Sequence, residues 1–317
     1  MRIGYFLSSE EHGPGALVRQ AQLAEDHGLC GLWISDHYHP WNSAQGQSPF
    51  VWTTLGALAR ATMLPLTTAV TCPTTRLHPA VIAQAAATVS VLSEGRFTLG
   101  VGTGEALNEH ILGGRWPHAD IRLAMLEEAV EIIRDLFSGE VVNHVGEYYE
   151  VEHARLYTVP ESPVAIYVSG FGPSSASLAG RIGDGFVCTK ADSALTSAFK
   201  AAGGAGKPMQ AGMKVCWAPS KDDAVATAYR YWSNDPLPGE LAQVLPTPEH
   251  FEQASTLVTP DMVAENIPCG PDPEPYVEAF RKYADVGYDE LFVQQIGPDQ
   301  EEFFTFFAKE VEPLLAA

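Results

Sequence analysis

The segment Met1–Ser35, MRIGYFLSSEEHGPGALVRQAQLAEDHGLCGLWIS, sets the pattern from which the fold is predicted. Met1–Leu7 is mostly apolar and predicts a buried strand. The stretch that follows places small and apolar residues on one helical face and reaches Gly28, a residue that favours the conformation of a helix C-cap. A second apolar stretch, Cys30–Ser35, predicts the next strand. This strand, helix, strand order is typical of a parallel sheet.

The same alternation continues along the chain. Further strands are predicted at Thr67–Cys72, Arg96–Gly100, Val164–Ser169, Gly185–Cys188, Gly212–Trp217 and Glu290–Gln294. Helical segments separate them, and the resulting total of about eight strands favours a closed (β/α)8 TIM barrel over an open doubly wound sheet. We expect one barrel domain over residues 1–317. The Pro-rich residues 232–268, after the seventh strand, predict an insertion or lid within it.

The composition excludes several classes of partner. The chain has 39 acidic and 19 basic residues and a formal net charge of −20, which would repel nucleic acid and anionic membranes. Its five cysteines form no CxxC pattern, which predicts reduced thiols, no zinc site and a cytoplasmic location. A small-molecule substrate is the expected partner.

The segment SDHYHPW, Ser35–Trp41, follows the second predicted strand. Functional residues of a barrel lie where strands end, and an imidazole titrates near neutral pH, so His37 is a candidate base for oxidation of an alcohol. Asp36 and His39 beside it leave a metal site open as an alternative, although no third ligand is evident. Packing under a loop is the other interpretation of each histidine.

The segment GVGTGEALNE, Gly100–Glu109, is rich in glycine and follows the fourth predicted strand. It is not a dinucleotide-binding fingerprint, because Glu105 stands where GxGxxG needs its third glycine. Glycines that let the backbone approach a flat ring, followed by a carboxylate, suit a flavin-like ring with Glu105 as an acid. A helix N-terminal glutamate stabilised by the dipole is the alternative.

The segment SGFGPSSASLAG, Ser169–Gly180, follows the fifth predicted strand. Its glycines precede a proline at an expected first helical position, which leaves backbone N–H groups and hydroxyls free to bind a phosphate. An ordinary capped turn between strand and helix explains the segment equally well.

Taken in order, these segments resemble the luciferase-like flavin and deazaflavin superfamily. The resemblance is closest to its coenzyme F420-dependent glucose-6-phosphate dehydrogenase and secondary-alcohol dehydrogenase group. It rests on YFLSSEE (Tyr5–Glu11), SDHYHPW, TCPTTRLHPAVIAQ (Thr71–Gln84), LGVGTGEALNE (Leu99–Glu109), GEYYEVEHARLYTVP (Gly146–Pro160) and AGRIGDGF (Ala179–Phe186).

The resemblance implies coenzyme F420 at the carboxyl ends of the strands and a role for each matching residue. His37 would take the substrate's hydroxyl proton, Glu105 would protonate the reduced ring, and Trp41 would cover the substrate side. Glu10 and His39 would line the substrate pocket. The residues expected near the cofactor are Asp36, Ala69, Val70, Thr71, Gly102, Thr103, Asn108, Ser169, Gly170 and Gly172. A non-prolyl cis peptide is expected at Ala69–Val70.

One departure concerns the substrate. Sugar-phosphate members of this group carry lysines at two positions that here match Asp192 and Glu265, and carboxylates repel a phosphate. Lys190 is the nearest base to the first position. We therefore expect hydride transfer between F420 and a non-phosphorylated alcohol, ketone or similar unsaturated carbon. An F420-dependent sugar-phosphate dehydrogenase and an FMN-dependent luciferase-like monooxygenase are the alternatives, and the resemblance also implies a homodimer.

Overall fold

Eight parallel strands close on themselves in the computed structural model, which describes residues 1–316. In chain order the strands of this barrel are β1 (Arg2–Leu7), β2 (Leu32–Ile34), β3 (Leu66–Thr68), β4 (Phe97–Val101), β7 (Ala165–Ser169), β8 (Gly185–Cys188), β9 (Met209–Val215) and β10 (Glu290–Gln295). The first strand pairs with the second on one side and with the last on the other, which closes the barrel. The predicted TIM barrel is confirmed.

An antiparallel hairpin, β5 (Val142–Val145) and β6 (Glu150–Ala154), lies outside the barrel and was not predicted. The carboxylate of Glu128 holds it to the neighbouring helix by accepting backbone N–H groups, including that of Tyr149 at 2.9 Å. The Tyr149 hydroxyl reaches on to the carbonyl oxygen of Thr74 at 3.0 Å. The hairpin therefore braces the loop after β3.

Helices surround the barrel. They are α1 (Pro14–Asp26), α2 (Val51–Ala61), α3 (Pro79–Leu92), α4 (Ala106–Glu109), α5 (Ala119–Phe137), α6 (Pro173–Ile182), α7 (Ser193–Phe199), α8 (Lys221–Trp232), α9 (Leu241–Val244), α10 (Pro248–Ser255), α11 (Pro260–Asn266), α12 (Glu274–Asp285), α13 (Gln300–Phe306) and α14 (Glu312–Ala316). Helix α1 buries Leu17, Ala21 and Ala24, and the chain leaves it through Gly28 at φ 72°. Within residues 1–316, none of the helices combines the length and apolar character that a membrane span requires.

One strand differs clearly from its predicted bounds, and two other predicted features are present. The strand predicted at Thr67–Cys72 was too long: β3 ends at Thr68, and Thr71 makes only an isolated bridge to Val101. The Ala69–Val70 peptide between them is cis, as the resemblance implied. Residues 232–268 contain α9, α10 and α11 and follow the seventh barrel strand, where the insertion was predicted.

The barrel interior is filled from alternate strand positions. Trp33 and Phe292 stack at its centre with ring centroids 4.8 Å apart and planes 9° apart. Glycines make room for them, since a Cβ at Gly212 would lie 2.5 Å from the Trp33 ring. The strand that carries Gly212 therefore cannot accept a larger residue there. This apolar floor separates the amino ends of the strands from the carboxyl ends, where barrel enzymes carry their active sites.

Candidate active site at the carboxyl end of the barrel

His37 lies in the loop after β2, with its ring held in one orientation. Its Nδ1 is 3.1 Å from the carbonyl oxygen of His39. Because a carbonyl oxygen can only accept, Nδ1 donates this hydrogen bond, and Nε2 is the ring nitrogen that can exchange a proton with a ligand. The Nε2 atom is 3.3 Å from Oε1 of Glu10 and 3.7 Å from Oε1 of Glu105. A base with two nearby carboxylates results.

Glu10 is buried in the loop after β1 and oriented by two hydroxyls. Its Oε2 accepts hydrogen bonds from Ser8 Oγ at 3.0 Å and from Ser35 Oγ at 2.7 Å. These bonds leave Oε1 directed at His37. Ser35 in turn accepts a hydrogen bond from the backbone N–H of Ser9, so the loops after β1 and β2 form one unit.

Glu105 comes from the loop after β4, and Asn108 positions it. The Asn108 amide donates to Oε1 of Glu105, while its oxygen accepts from the backbone N–H groups of Tyr38 at 2.8 Å and His39 at 2.9 Å. One side chain thereby fixes the loop that bears His37 relative to the second carboxylate. The Glu105 side chain is 23% exposed against 4% for Glu10, so the two carboxylates have different access to solvent.

Trp41 stands between His37 and residues 232–268. Its ring centroid is 5.1 Å from that of His37 and 5.1 Å from that of Phe251 on α10. The His39 ring is turned towards α4, with Nδ1 2.9 Å from the carbonyl oxygen of Leu107. A substrate contact for His39 therefore stays a prediction, while its own carbonyl orients the base. Within residues 1–316, no group of three or more His, Cys, Asp or Glu side chains is arranged to bind a metal ion.

Asp36 belongs to a buried ion cluster with Arg76 and Glu109. Its Oδ1 accepts from Arg76 Nη2 at 2.7 Å and its Oδ2 from Thr71 Oγ1 at 2.8 Å, and the Asp36 side chain is 0% exposed. Glu109 accepts the Arg76 backbone N–H at 2.7 Å. The cluster joins the loops after β2, β3 and β4. The predicted contact of Asp36 and Thr71 with the cofactor remains a prediction.

Charge and burial act against each other in this cluster. Burial raises the pKa of Glu109 to about 7, although the Arg76 guanidinium lowers it. Burial also lowers the pKa of Arg76, but the carboxylates of Asp36 and Glu109 outweigh that effect and hold it above its usual value. Arg76 is therefore a permanent cation that is already neutralised by its two partners.

A glycine-lined surface lies beside the acid and base groups. A Cβ at Gly102 would be 2.7 Å from Val70 Cγ2 and 2.5 Å from Ser169 Oγ, so Gly102 packs directly against these two side chains and no larger residue fits there. Helix α6 begins after Gly172, with Pro173 in its first turn. The first N–H groups of a helix have no partner within it, and they attract an anion. These features are compatible with the predicted F420 site, and the contacts of Gly102, Ser169 and Gly172 with the cofactor stay predictions.

Comparisons with known proteins identify the family of this chain. The model of the luciferase-like monooxygenase family matches residues 1–290. This chain belongs to that family. It is 37% identical to an F420-dependent glucose-6-phosphate dehydrogenase of Amycolatopsis mediterranei, over 100% of this chain and 99% of the relative.

Two solved structures extend the likeness. An F420-dependent secondary alcohol dehydrogenase in complex with an F420–acetone adduct has 31% identity and a TM-score of 0.91, covering 99% of this chain and 98% of that one. The F420-dependent tetrahydromethanopterin reductase of Methanopyrus kandleri has 21% identity and a TM-score of 0.80, with 99% of each chain covered, and it shares the fold. The luciferase-like barrel predicted from the motifs is confirmed.

Sequence reasoning assigned no role to several polar residues on the other side of this luciferase-like barrel, although Glu11 lies in the YFLSSEE motif. Glu11 accepts hydrogen bonds from Trp232 Nε1 at 2.7 Å, Gln294 Nε2 at 2.9 Å and the Gly297 backbone N–H at 2.8 Å. Burial raises the pKa of Glu11 to about 7. Lys214 of β9 pairs with Asp235 at 2.8 Å. A lysine and a glutamine within otherwise apolar strands were the signals available in the sequence.

Proposed function

We propose that this chain is an F420-dependent oxidoreductase that acts on a non-phosphorylated alcohol, ketone or similar unsaturated carbon. The observation that carries the proposal is the Nε2 atom of His37 between the carboxylates of Glu10 and Glu105, beside a glycine-lined surface. The proposal is further supported by relatives that are F420-dependent dehydrogenases and that match 99–100% of this chain. When bound, F420 supplies the group that accepts or donates a hydride.

His37 acts as the base in alcohol oxidation. Its Nε2 atom takes the hydroxyl proton of the substrate, and the carboxylates of Glu10 and Glu105 stabilise the imidazolium that forms. The His39 carbonyl holds the opposite N–H in place throughout. In the reverse direction His37 returns the proton. Trp41 covers the substrate side, and its contact with Phe251 excludes water.

Glu105 starts alcohol oxidation as the acid: it would give its proton to the reduced cofactor and become the carboxylate that faces the His37 imidazolium. Its carboxyl is more exposed than that of Glu10 and is oriented by Asn108, so it can exchange a proton with a group on the glycine-lined surface. The residues that would hold F420 are those predicted from the resemblance, with Val70, Gly102 and Ser169 in mutual contact and Gly172 at the start of α6.

A neutral substrate is supported by two positions of this chain that have carboxylates where sugar-phosphate enzymes have phosphate-binding lysines. Asp192 caps α7 through a hydrogen bond from the Ala194 N–H at 2.8 Å, and Glu265 lies exposed on α11. The Lys190 ammonium lies 5.9 Å from the Phe171 ring centroid. The identity to glucose-6-phosphate dehydrogenases keeps a sugar phosphate as the second candidate substrate.

A cofactor and substrate panel tests the proposal. Purified protein is mixed with oxidised F420, and loss of its absorbance is followed with neutral secondary alcohols and with glucose 6-phosphate. We expect turnover with a neutral alcohol and a kcat/KM for the sugar phosphate that is lower by at least about 100-fold. Faster turnover of the sugar phosphate would move the assignment to the second candidate. Co-purified FMN with oxygen consumption would indicate a monooxygenase.

The proposal extends to the lid, the cellular location and the oligomeric state. Residues 232–268 act as a lid over the substrate, and the protein is a cytoplasmic homodimer. Helix α3 supports the dimer because its outer face exposes Val81, Val91 and Leu92, by 52%, 44% and 38%. Light scattering should give twice the mass of one 34.2 kDa chain. Val81→Lys on this face should shift the protein towards monomer, and an unchanged mass would place the interface elsewhere.

A further inference from the structure

Lys214 points into the catalytic mouth of the barrel. On the paired strands β9 and β10, Gly212 lies opposite Phe292, and Lys214 lies opposite Gln294 two residues further on. Phe292 stacks in the barrel interior, and alternate residues of a strand face the same side. Lys214 and Gln294 therefore face the interior at the carboxyl end, in the layer above the aromatic floor.

The ammonium of Lys214 is already paired from the lid side. Its Nζ is 2.8 Å from Oδ1 of Asp235 and 4.3 Å from the ring centroid of Trp232. The two charged side chains are 22% and 23% exposed, so the pair is partly shielded from solvent. Trp232 also donates to Glu11, the residue after Glu10 in the loop that follows β1.

The other cations at this end of the barrel include Arg76 and the exposed Lys190, whose ammonium lies 5.9 Å from the Phe171 ring centroid. Arg76 is neutralised by Asp36 and Glu109. Glu10, Glu11 and Glu105 add negative charge, and Asp192 caps the helix after β8. In residues 1–316, Asp235 is the one carboxylate within ion-pair distance of Lys214. A phosphate that binds Lys214 would have to displace Asp235 or lie beside it, and both are unfavourable.

We propose that Asp235 is a specificity-determining residue: as the internal counter-ion of Lys214, it reserves the substrate mouth for uncharged substrates and excludes phosphorylated ones. The inference rests on the proposed function and deepens it. Specificity of this kind comes from an unfavourable element built against the wrong ligand. The lid side of the mouth thereby selects the substrate, while the His37 side performs the chemistry.

The test compares wild type with Asp235→Asn, which keeps the shape and removes the charge. The kcat/KM for a sugar phosphate, relative to that for the same unphosphorylated sugar or alcohol, should rise at least about tenfold in Asp235→Asn, mainly through a lower KM. The double variant with Lys214→Met should lose that gain. Asp26→Asn, at the opposite end of the barrel, makes the same change in net charge and should leave the ratio unchanged.

Binding of inorganic phosphate gives a readout that is independent of turnover. By calorimetry, Asp235→Asn should bind phosphate at least about tenfold more tightly than wild type, and the double variant should not. Equal phosphate affinity in wild type and Asp235→Asn, or an equal gain in Asp26→Asn, would overturn the inference. If no alcohol reduces F420 in wild type, the proposed function fails by itself, while the phosphate titration still decides the role of Asp235.

Discussion

The two sides of the barrel mouth are built in different ways. On the β1 to β4 side, His37, Glu10 and Glu105 lie within the first few residues after their strands, and neighbouring hydroxyls and an amide orient them. On the β9 and β10 side, Lys214 is oriented by Asp235, which belongs to the segment after α8. The chemistry is thus encoded in local motifs, whereas substrate selection depends on contacts between distant segments.

Two adjacent glutamates show the same contrast. Glu10 turns to Ser8, Ser35 and His37, all on the motif side. Glu11 turns the other way and holds Trp232 at the start of the lid segment. One dipeptide therefore connects the catalytic side to the selecting side. Substitutions at the two positions should separate turnover from substrate affinity.

The largest expected effect lies on the motif side. His37→Ala and Glu105→Gln should each lower kcat by about 10²- to 10⁴-fold, because the reaction loses its positioned base or acid. Binding of F420, followed by fluorescence quenching, should stay within about threefold of wild type. His118→Ala, at an exposed position before α5, is the matched control. Wild-type turnover in either variant would remove that residue from the mechanism.

The second effect concerns the ion cluster that joins the motif loops. Arg76→Met leaves Asp36 and Glu109 buried without their counter-ion, and we expect a loss of about 3–5 kcal/mol in the free energy of unfolding. Urea denaturation measures it. Arg19→Met removes an exposed pair with Glu301 and should lose less than about 1 kcal/mol. Similar losses of unfolding free energy in both variants would show that the cluster does not stabilise the contact between these loops.

The smallest effect lies at the link between the two sides. In Glu11→Gln, an NH2 group replaces one carboxylate oxygen and cannot accept a hydrogen bond from the N–H groups of Trp232 or Gly297. The free energy of unfolding should therefore fall by about 1–3 kcal/mol. KM should rise through a displaced Trp232, while kcat changes less than in His37→Ala. A fall in kcat as large as that of His37→Ala would contradict the separation of the two sides.

This link also predicts a pH dependence. Burial raises the pKa of Glu11 from 4.5 to about 7, so the folded state binds the proton more tightly than the unfolded state. Its contribution to stability is complete below about pH 4.5 and is lost as the pH rises through about 7. The stability difference between wild type and Glu11→Gln should therefore shrink over this range. A difference that grows with pH would show that the pKa of Glu11 is not raised in the folded state.

The predicted fold rested on local periodicity, and it was correct where that signal is strong. The Gly185–Cys188 strand has the predicted bounds, because a short apolar run between turns defines it. The hairpin at Val142–Ala154 was missed, since its two strands are stabilised by Glu128 and Tyr149 contacts that no local pattern reveals. The strand at Thr67–Cys72 was extended too far because β-branched residues continue beyond its last pairing.

The sequence by itself determined the barrel and brought His37, Glu10 and Glu105 into consideration, because strand ends of a closed parallel sheet must meet at one face. Only the tertiary structure decided their partners. Trp232 is 221 residues from Glu11, and the direction of Lys214 depends on its register with β10. Alternation along a strand fixes which residues share a face, but packing against a remote segment decides which charge each one meets.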